Sequence, residues 1–132
     1  MPTDPIAIIQ NPQAPVWRKI SLILQLAKQQ DQTAYSLILA MMEDPVFSNV
    51  RGTLVCALKN YPPEPLFDPA IHWLITGNFE MAHEAWDILN GITELTGGQV
   101  AHAYTLLLAA ANNTKTESWR IELLQDALNW FG

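Results

Sequence analysis

The sequence predicts an all-α fold of repeated helical pairs. Apolar residues recur at matching offsets 31 positions apart: Val50, Leu54, Ala57 and Leu58 against Met81, Ala85, Ile88 and Leu89. Each set is spaced i, i+4, i+7, i+8, which is one stripe of a helix. Val16, Ile20, Ile23 and Leu24 repeat the spacing 34 residues before the Val50 set. A helical motif at this period marks pairs of helices that bury their faces only against a neighbouring pair. No segment reads as a convincing strand. With 49% hydrophobic and 15% charged residues, the chain has the balance of a packed protein and the opposite of a disordered one. Its 132 residues make one domain, 1–132, that buries about two-thirds of its unfolded surface without staples.

The elements follow from caps and breakers. Residues 1–14 read as an irregular arm, since Pro2, Pro5 and Pro12 oppose a regular helix. The helical domain spans 15–131. Pro15 suits the first position of a helix to about Gln30. Asp31 caps a second helix through Met42, with Ala34, Ile38 and Met41 or Met42 as its apolar line. Asp44-Pro45 starts a third, reaching about Asn60. Tyr61-Pro62-Pro63-Glu64-Pro65 forces a break, and a fourth helix runs from Pro65 or Pro69 to Thr76. Gly77-Asn78 closes it and caps a fifth over Phe79 to Asn90. Thr96 and Gln99 have capping-box spacing before a sixth helix, from about Gln99 to Asn112. Thr114 with Glu117 offers another such box for the seventh, ending near Trp130.

Net charge is −6, and its placement matters more than its size. No Lys or Arg stands between Lys59 and Lys115, while Glu64, Asp68, Glu80, Glu84, Asp87 and Glu94 all do. Nucleic-acid binding needs a basic patch, so direct nucleic-acid contact is not expected. A partner with a basic patch fits this field better. Cys56, the one cysteine, cannot close an internal disulfide; in an apolar helical segment it reads as a buried small hydrophobe, and a reducing, cytoplasmic setting follows. Met1 to Gln10 has no Lys or Arg and only a short apolar run, so no signal peptide is expected. The apolar run Tyr104 to Ala111 is far shorter than a membrane span needs, so none is expected there either.

Val50-Arg51 followed by Leu54, Ala57 and Leu58, after Asp44-Pro45, resembles the second helix of a HEAT-like repeat. The Met81 to Leu89 copy keeps the apolar positions but has Ala82 in place of Arg, and the last helix, with Leu124, Ala127 and Leu128, fits loosely. The resemblance implies an α-solenoid of about seven antiparallel helices whose second helices line a concave, partner-binding face. It implies no reaction. An irregular helical bundle is the alternative fold.

Glu80, Glu84 and Asp87 fall within about 60° of one another on their helix, opposite Ala82, Ala85, Trp86 and Leu89. They are either an ordinary solvated face or an acidic ridge for a basic partner; no Lys four residues on neutralises them. His83 lies beside this row. Trp73 and Trp86 flank it, as core residues or, where exposed, as partner anchors. Trp17, Trp119 and Trp130 complete the five tryptophans and read mainly as core, with Trp130 and Phe131 exposed or capping the last helical layer. His72, His83 and His102 lack zinc-ligand spacing. No nucleophile elbow or phosphate loop is present, so no metal, cofactor or catalytic residue is expected and the chain reads as a non-enzyme.

Together these features predict a protein-binding module. By analogy with small acidic immunity proteins, its most concrete form neutralises a cognate toxin by covering the toxin's active site with an acidic concave surface, through Glu80, Glu84, Asp87, His83, Trp86 and Trp73. A scaffold or adaptor is the alternative, with a lyase-like HEAT-repeat enzyme third. A monomer favours the immunity reading; a homodimer through apolar ends of the stack favours the adaptor.

Overall fold

The structure, a computed structural model, describes residues 4–131. Among them are eight α-helices, two 3-10 segments and no strand. No helix among them is long and apolar enough to cross a membrane. The chain divides into two compact units, residues 1–61 and 62–132.

The first unit begins with a correction. The predicted arm contains a helix, α1 (Pro5–Gln10); Met1 to Thr3 lie outside the described residues. Asp4 Oδ1 accepts from the Ile6 N–H at 3.1 Å, and Pro5 occupies a first-turn position where its missing N–H costs nothing. Pro5 and Pro12 bracket this helix instead of preventing it. α2 (Val16–Lys28) buries Ile20, Ile23 and Ala27. It ends in a Schellman arrangement: Asp31 N–H donates to Leu26 O and Gln30 N–H to Ala27 O. Gln30 takes the left-handed conformation there, φ 56°, and its Nε2 donates to Asn60 O at 2.9 Å.

α3 (Gln32–Glu43) starts on the predicted cap, with Asp31 Oδ1 accepting from Ala34 N–H at 2.8 Å. Tyr61 Oη donates to Asp31 O at 2.8 Å and its ring packs on Tyr35, 4.8 Å between centroids. Asp44 also caps as predicted, accepting from Val46 N–H at 3.0 Å. The helix it starts is split, however. Pro45–Val50 is 3-10, with Phe47 off helical geometry at φ −100° and ψ 15°, and α4 covers only Arg51–Leu58. Ser48 and Asn49 are weak helix formers whose side chains favour turns, β-branched Val50 adds a further weak position, and the kink accompanies burial of Phe47. α2, α3 and α4 pack on one another, with α1 against α2. Cys56 is exposed, against the expectation of a buried thiol: Leu54, Val55, Ala57 and Leu58 take the core side of α4 and the helical phase turns position 56 away.

The second unit holds α5 (Phe67–Thr76), α6 (Phe79–Asn90), α7 (Gly97–Ala111) and α8 (Ser118–Phe131). A 3-10 turn, Glu64–Leu66, follows the proline break and leads into α5. α5 and α6 form one helical hairpin and α7 and α8 another; α6 lies against α8 and α5 against α7 and α8. The two-residue joint Gly77-Asn78 works as predicted. Gly77 N–H donates to Trp73 O at 2.8 Å and Asn78 Oδ1 caps Met81 N–H at 2.9 Å. A Cβ on Gly77 would stand 2.6 Å from Trp73 O and 2.8 Å from Met81 Cγ. Gly77→Ala is therefore expected to cost about 1–3 kcal/mol, read by chemical denaturation; an unchanged midpoint would mean the joint relaxes freely.

Thr96 and Gln99 form the full reciprocal capping box, at 3.0 and 3.1 Å. The Thr114–Glu117 box does not form, since α8 starts at Ser118. Thr116 Oγ1 instead donates to Ala110 O at 2.7 Å, and the Glu117 carboxylate turns to Arg120.

The matched offsets correspond to buried positions, each in its own unit. Leu54, Ala57 and Leu58 are buried on α4, and Ala85, Ile88 and Leu89 on α6.

Candidate protein-binding face

α6 divides cleanly by helical phase. Met81, Ala82, Ala85, Ile88 and Leu89 are buried, while Glu80 and Asp87 are exposed and Glu84 is half-buried. The three acids do share one stripe, opposite the buried residues, as predicted from spacing. Glu84 and Asp87 each make a further polar or electrostatic contact in the folded chain, so the row is a held surface rather than a bare one. His83, half-buried, borders it. Its Nδ1 donates to Phe79 O at 2.7 Å, because a carbonyl can only accept.

Beside the acids runs an aromatic seam that the sequence reading largely missed. The rings of Phe79 and His83 stand 4.1 Å apart, and Phe79 meets Trp119 of α8 edge-on at 5.1 Å. Further along, Trp86 meets Trp130 edge-on at 6.0 Å, and Trp130 packs on Phe131 at 4.9 Å. These geometries are the favoured tilted and edge-to-face ones. Trp119 and Trp130 are eleven residues apart, which returns to within about 20° of the same helical face. Because Phe79 pairs with Trp119 and Trp86 with Trp130, α6 and α8 run in the same direction. Phe79 is 56% exposed and Trp130 39%, with Trp86 and Trp119 half-buried. Trp73 goes elsewhere: at 6% exposure it belongs to the core side of α5, where it cannot act as a surface anchor.

Arg120 fixes the seam from behind. It is 6% exposed, and its guanidinium lies 4.4 Å from the Trp119 ring. Nη1 donates to Leu74 O at 2.8 Å and Nη2 to Gly77 O at 2.6 Å. Nε and Nη2 also reach the two Glu117 oxygens, both at 3.0 Å. The hydrogen bonds from Arg120 hold the Glu117 carboxyl down to about 2, from an ordinary 4.5. One residue thus ties the start of α8 to the end of α5 and to the joint before α6. Its signal in the sequence was an arginine three residues after a glutamate, at the edge of a cation-free stretch.

The hollows of this unit are modest. One of about 400 Å³ is lined by Lys115, Glu117 and Arg120 beside apolar residues of α5 and α7. Another, of about 180 Å³, has Asp68, His72 and His102 at its rim. No group of three His, Cys, Asp or Glu residues among those described stands close enough to hold a metal ion.

Comparison with family models, with curated proteins and with solved structures gives no match. The functional reading therefore rests on this chain's own side chains.

Proposed function

We propose that this chain is a non-enzymatic protein-binding module whose α6–α8 face takes a partner bearing a basic patch. The observation that carries this is the acid row of Glu80, Glu84 and Asp87 alongside the partly exposed rings of Phe79, Trp86, Trp119 and Trp130. Aromatic anchors supply most of the affinity in such interfaces, and acids at their margin steer the encounter and reject wrong partners. The parallel second helices of the α5–α6 and α7–α8 hairpins agree with the HEAT-like resemblance, in which second helices carry the recognition surface. The most concrete role is an immunity protein that covers the active site of a cognate toxin with this acidic face.

The test replaces the charges without touching the rings. Glu80→Gln/Glu84→Gln/Asp87→Asn is expected to melt like the parent but to associate with its captured partner about tenfold more slowly, with weakened salt dependence. Surface plasmon resonance against a partner captured from the source cells reads both. Equal association rates and equal salt slopes would remove the acid row from the proposal. The adaptor reading keeps a specific support of its own, the uncovered apolar face of α7.

A further inference from the structure

The rings between α6 and α8 have carboxylates on both sides, and only those of α6 belong to the row described above. At about 100° per residue, Glu122 and Asp126 lie within about 60° of Trp119 on α8. They stand on the flank turned away from buried Arg120, Leu123, Leu124 and Ala127. Both acids are exposed, and among the described residues no hydrogen bond or ion pair engages either. On α6 the same rotation puts Phe79 and Trp86 between the buried residues and the acids Glu80 and Asp87. Since Trp119 meets Phe79 and Trp130 meets Trp86, the order across the surface is acids of α6, rings of α6, rings of α8, acids of α8. An aromatic strip thus runs between two carboxylate walls. Arg120, the cation stacked on Trp119, is buried behind it.

We infer that this strip is the docking groove for an arginine-bearing segment of the partner, whose guanidinium lies on Trp130 with Asp126 on one flank and Asp87 on the other. The inference rests on the α6–α8 reading above and narrows its partner from a basic patch to a guanidinium. The walls select a cation: an apolar segment laid between them would strip water from carboxylates it cannot pair, and an acidic one would be repelled. The floor then selects among cations. An ammonium is a strongly hydrated point charge. A guanidinium is more weakly hydrated, stacks flat on an indole and offers a carboxylate a two-pronged fork. The chain already makes this arrangement once, on the buried side of the strip. The Arg120 guanidinium lies 4.4 Å from the Trp119 ring while its Nε and Nη2 hold the Glu117 oxygens, both at 3.0 Å. Phe79 to Trp86 covers about 10 Å of helix and Trp119 to Trp130 about 16 Å, the length of an extended segment of roughly three to five residues.

The probes are capped tri-arginine and tri-lysine peptides of equal charge, titrated into the full chain while the indole N–H signals of the five tryptophans are followed by NMR. Tri-arginine is expected to shift the Trp86 and Trp130 signals saturably, with a dissociation constant on the order of 0.1–1 mM. Tri-lysine is expected to bind about five- to tenfold more weakly. Trp17, 72% exposed on α2 beside Arg18 and Lys19, is expected to stay unshifted and serves as the control. Glu122→Gln/Asp126→Asn is expected to melt like the parent and to bind tri-arginine about fivefold more weakly. Trp130→Leu, its fold checked by circular dichroism, is expected to bind the two peptides alike. Equal affinity of the parent for both peptides would overturn the inference and leave the basic-patch reading standing. So would a Trp130→Leu chain that keeps the arginine preference. Undiminished binding by the Glu122→Gln/Asp126→Asn chain would remove the second wall and the inference with it. A Trp17 shift as large as that of Trp130 would mean indiscriminate stacking on indoles and would overturn it too. No response of Trp86 and Trp130 to either peptide would overturn both the inference and the reading beneath it.

Discussion

Arg120→Met is expected to lower the stability of the chain by about 3–5 kcal/mol. Methionine can fill the channel of the arginine stem, so the loss isolates the guanidinium. The Leu74 and Gly77 carbonyls would then be left without their donor. Each such orphaned acceptor costs about 1–3 kcal/mol, and loss of packing against Trp119 adds a further part. For a chain of this size the melting temperature should fall by about 10–20 °C. Arg120→Lys keeps the charge but cannot present a planar fork to three acceptors, so it should fall between the two. A loss below about 1 kcal/mol would show that water replaces the guanidinium freely.

The same cluster gives stability a defined acid limb. Glu117 has a folded-state value lowered to about 2 from an ordinary 4.5, mainly by its hydrogen bonds from Arg120. A depressed carboxylate stabilises the fold above its unfolded value, and that contribution is lost as pH falls from 4.5 toward about 2. In Arg120→Met this part of the acid dependence should disappear, which denaturant titrations at successive pH values would reveal. Persistence of the full acid limb in the variant would assign it to other carboxylates.

Leu107→Ala is expected to cost about 2–5 kcal/mol, and its effect should be concentrated in one helix. Leu107 is fully buried, and with Ala103 it is all that α7 commits to the core. Truncating it leaves a cavity where α7 meets its hairpin partner and removes most of the apolar area that holds the helix down. Amide exchange should therefore accelerate more along α7 than along α5 or α6, whose faces carry five buried residues each. Uniform acceleration across the unit would show instead that α7 opens only with global unfolding.

Much of this architecture was legible because helix starts are written in short-range chemistry. Asp31, Asp44, Asn78 and Thr96 each cap the residue their spacing indicated, and the acid row of α6 follows from helical phase alone. What was illegible depended on partners distant in the chain or on competing local bonds. Three prolines suggested an irregular arm near the start, yet Asp4 and Pro5 open a helix. Thr114 had the spacing of a cap, but α8 starts only at Ser118 and the Glu117 carboxylate that would have closed the box is taken by Arg120. The seam between Phe79 and Trp119 joins residues 40 positions apart, and Arg120 reaches back 46 and 43 positions to its carbonyls. No window of local sequence contains both members of such a pair. Trp73 and Trp86 had equal standing as anchors, and only the packing of α5 separated them.

The common direction of α6 and α8 has an electrical consequence. Their macrodipoles add, leaving partial positive charge where Phe79 and Trp119 meet and partial negative charge where Trp86 meets Trp130. Neither helix has a basic residue in its last turn to cancel the negative pole, while Glu80 offsets the positive pole at the start of α6. The potential along the face is therefore graded, deepening from Glu80 toward Asp87 and Trp130. A cationic side chain arriving there would be drawn to the carboxyl-terminal end, so on the proposed reading the gradient sets the polarity of a partner as well as its place.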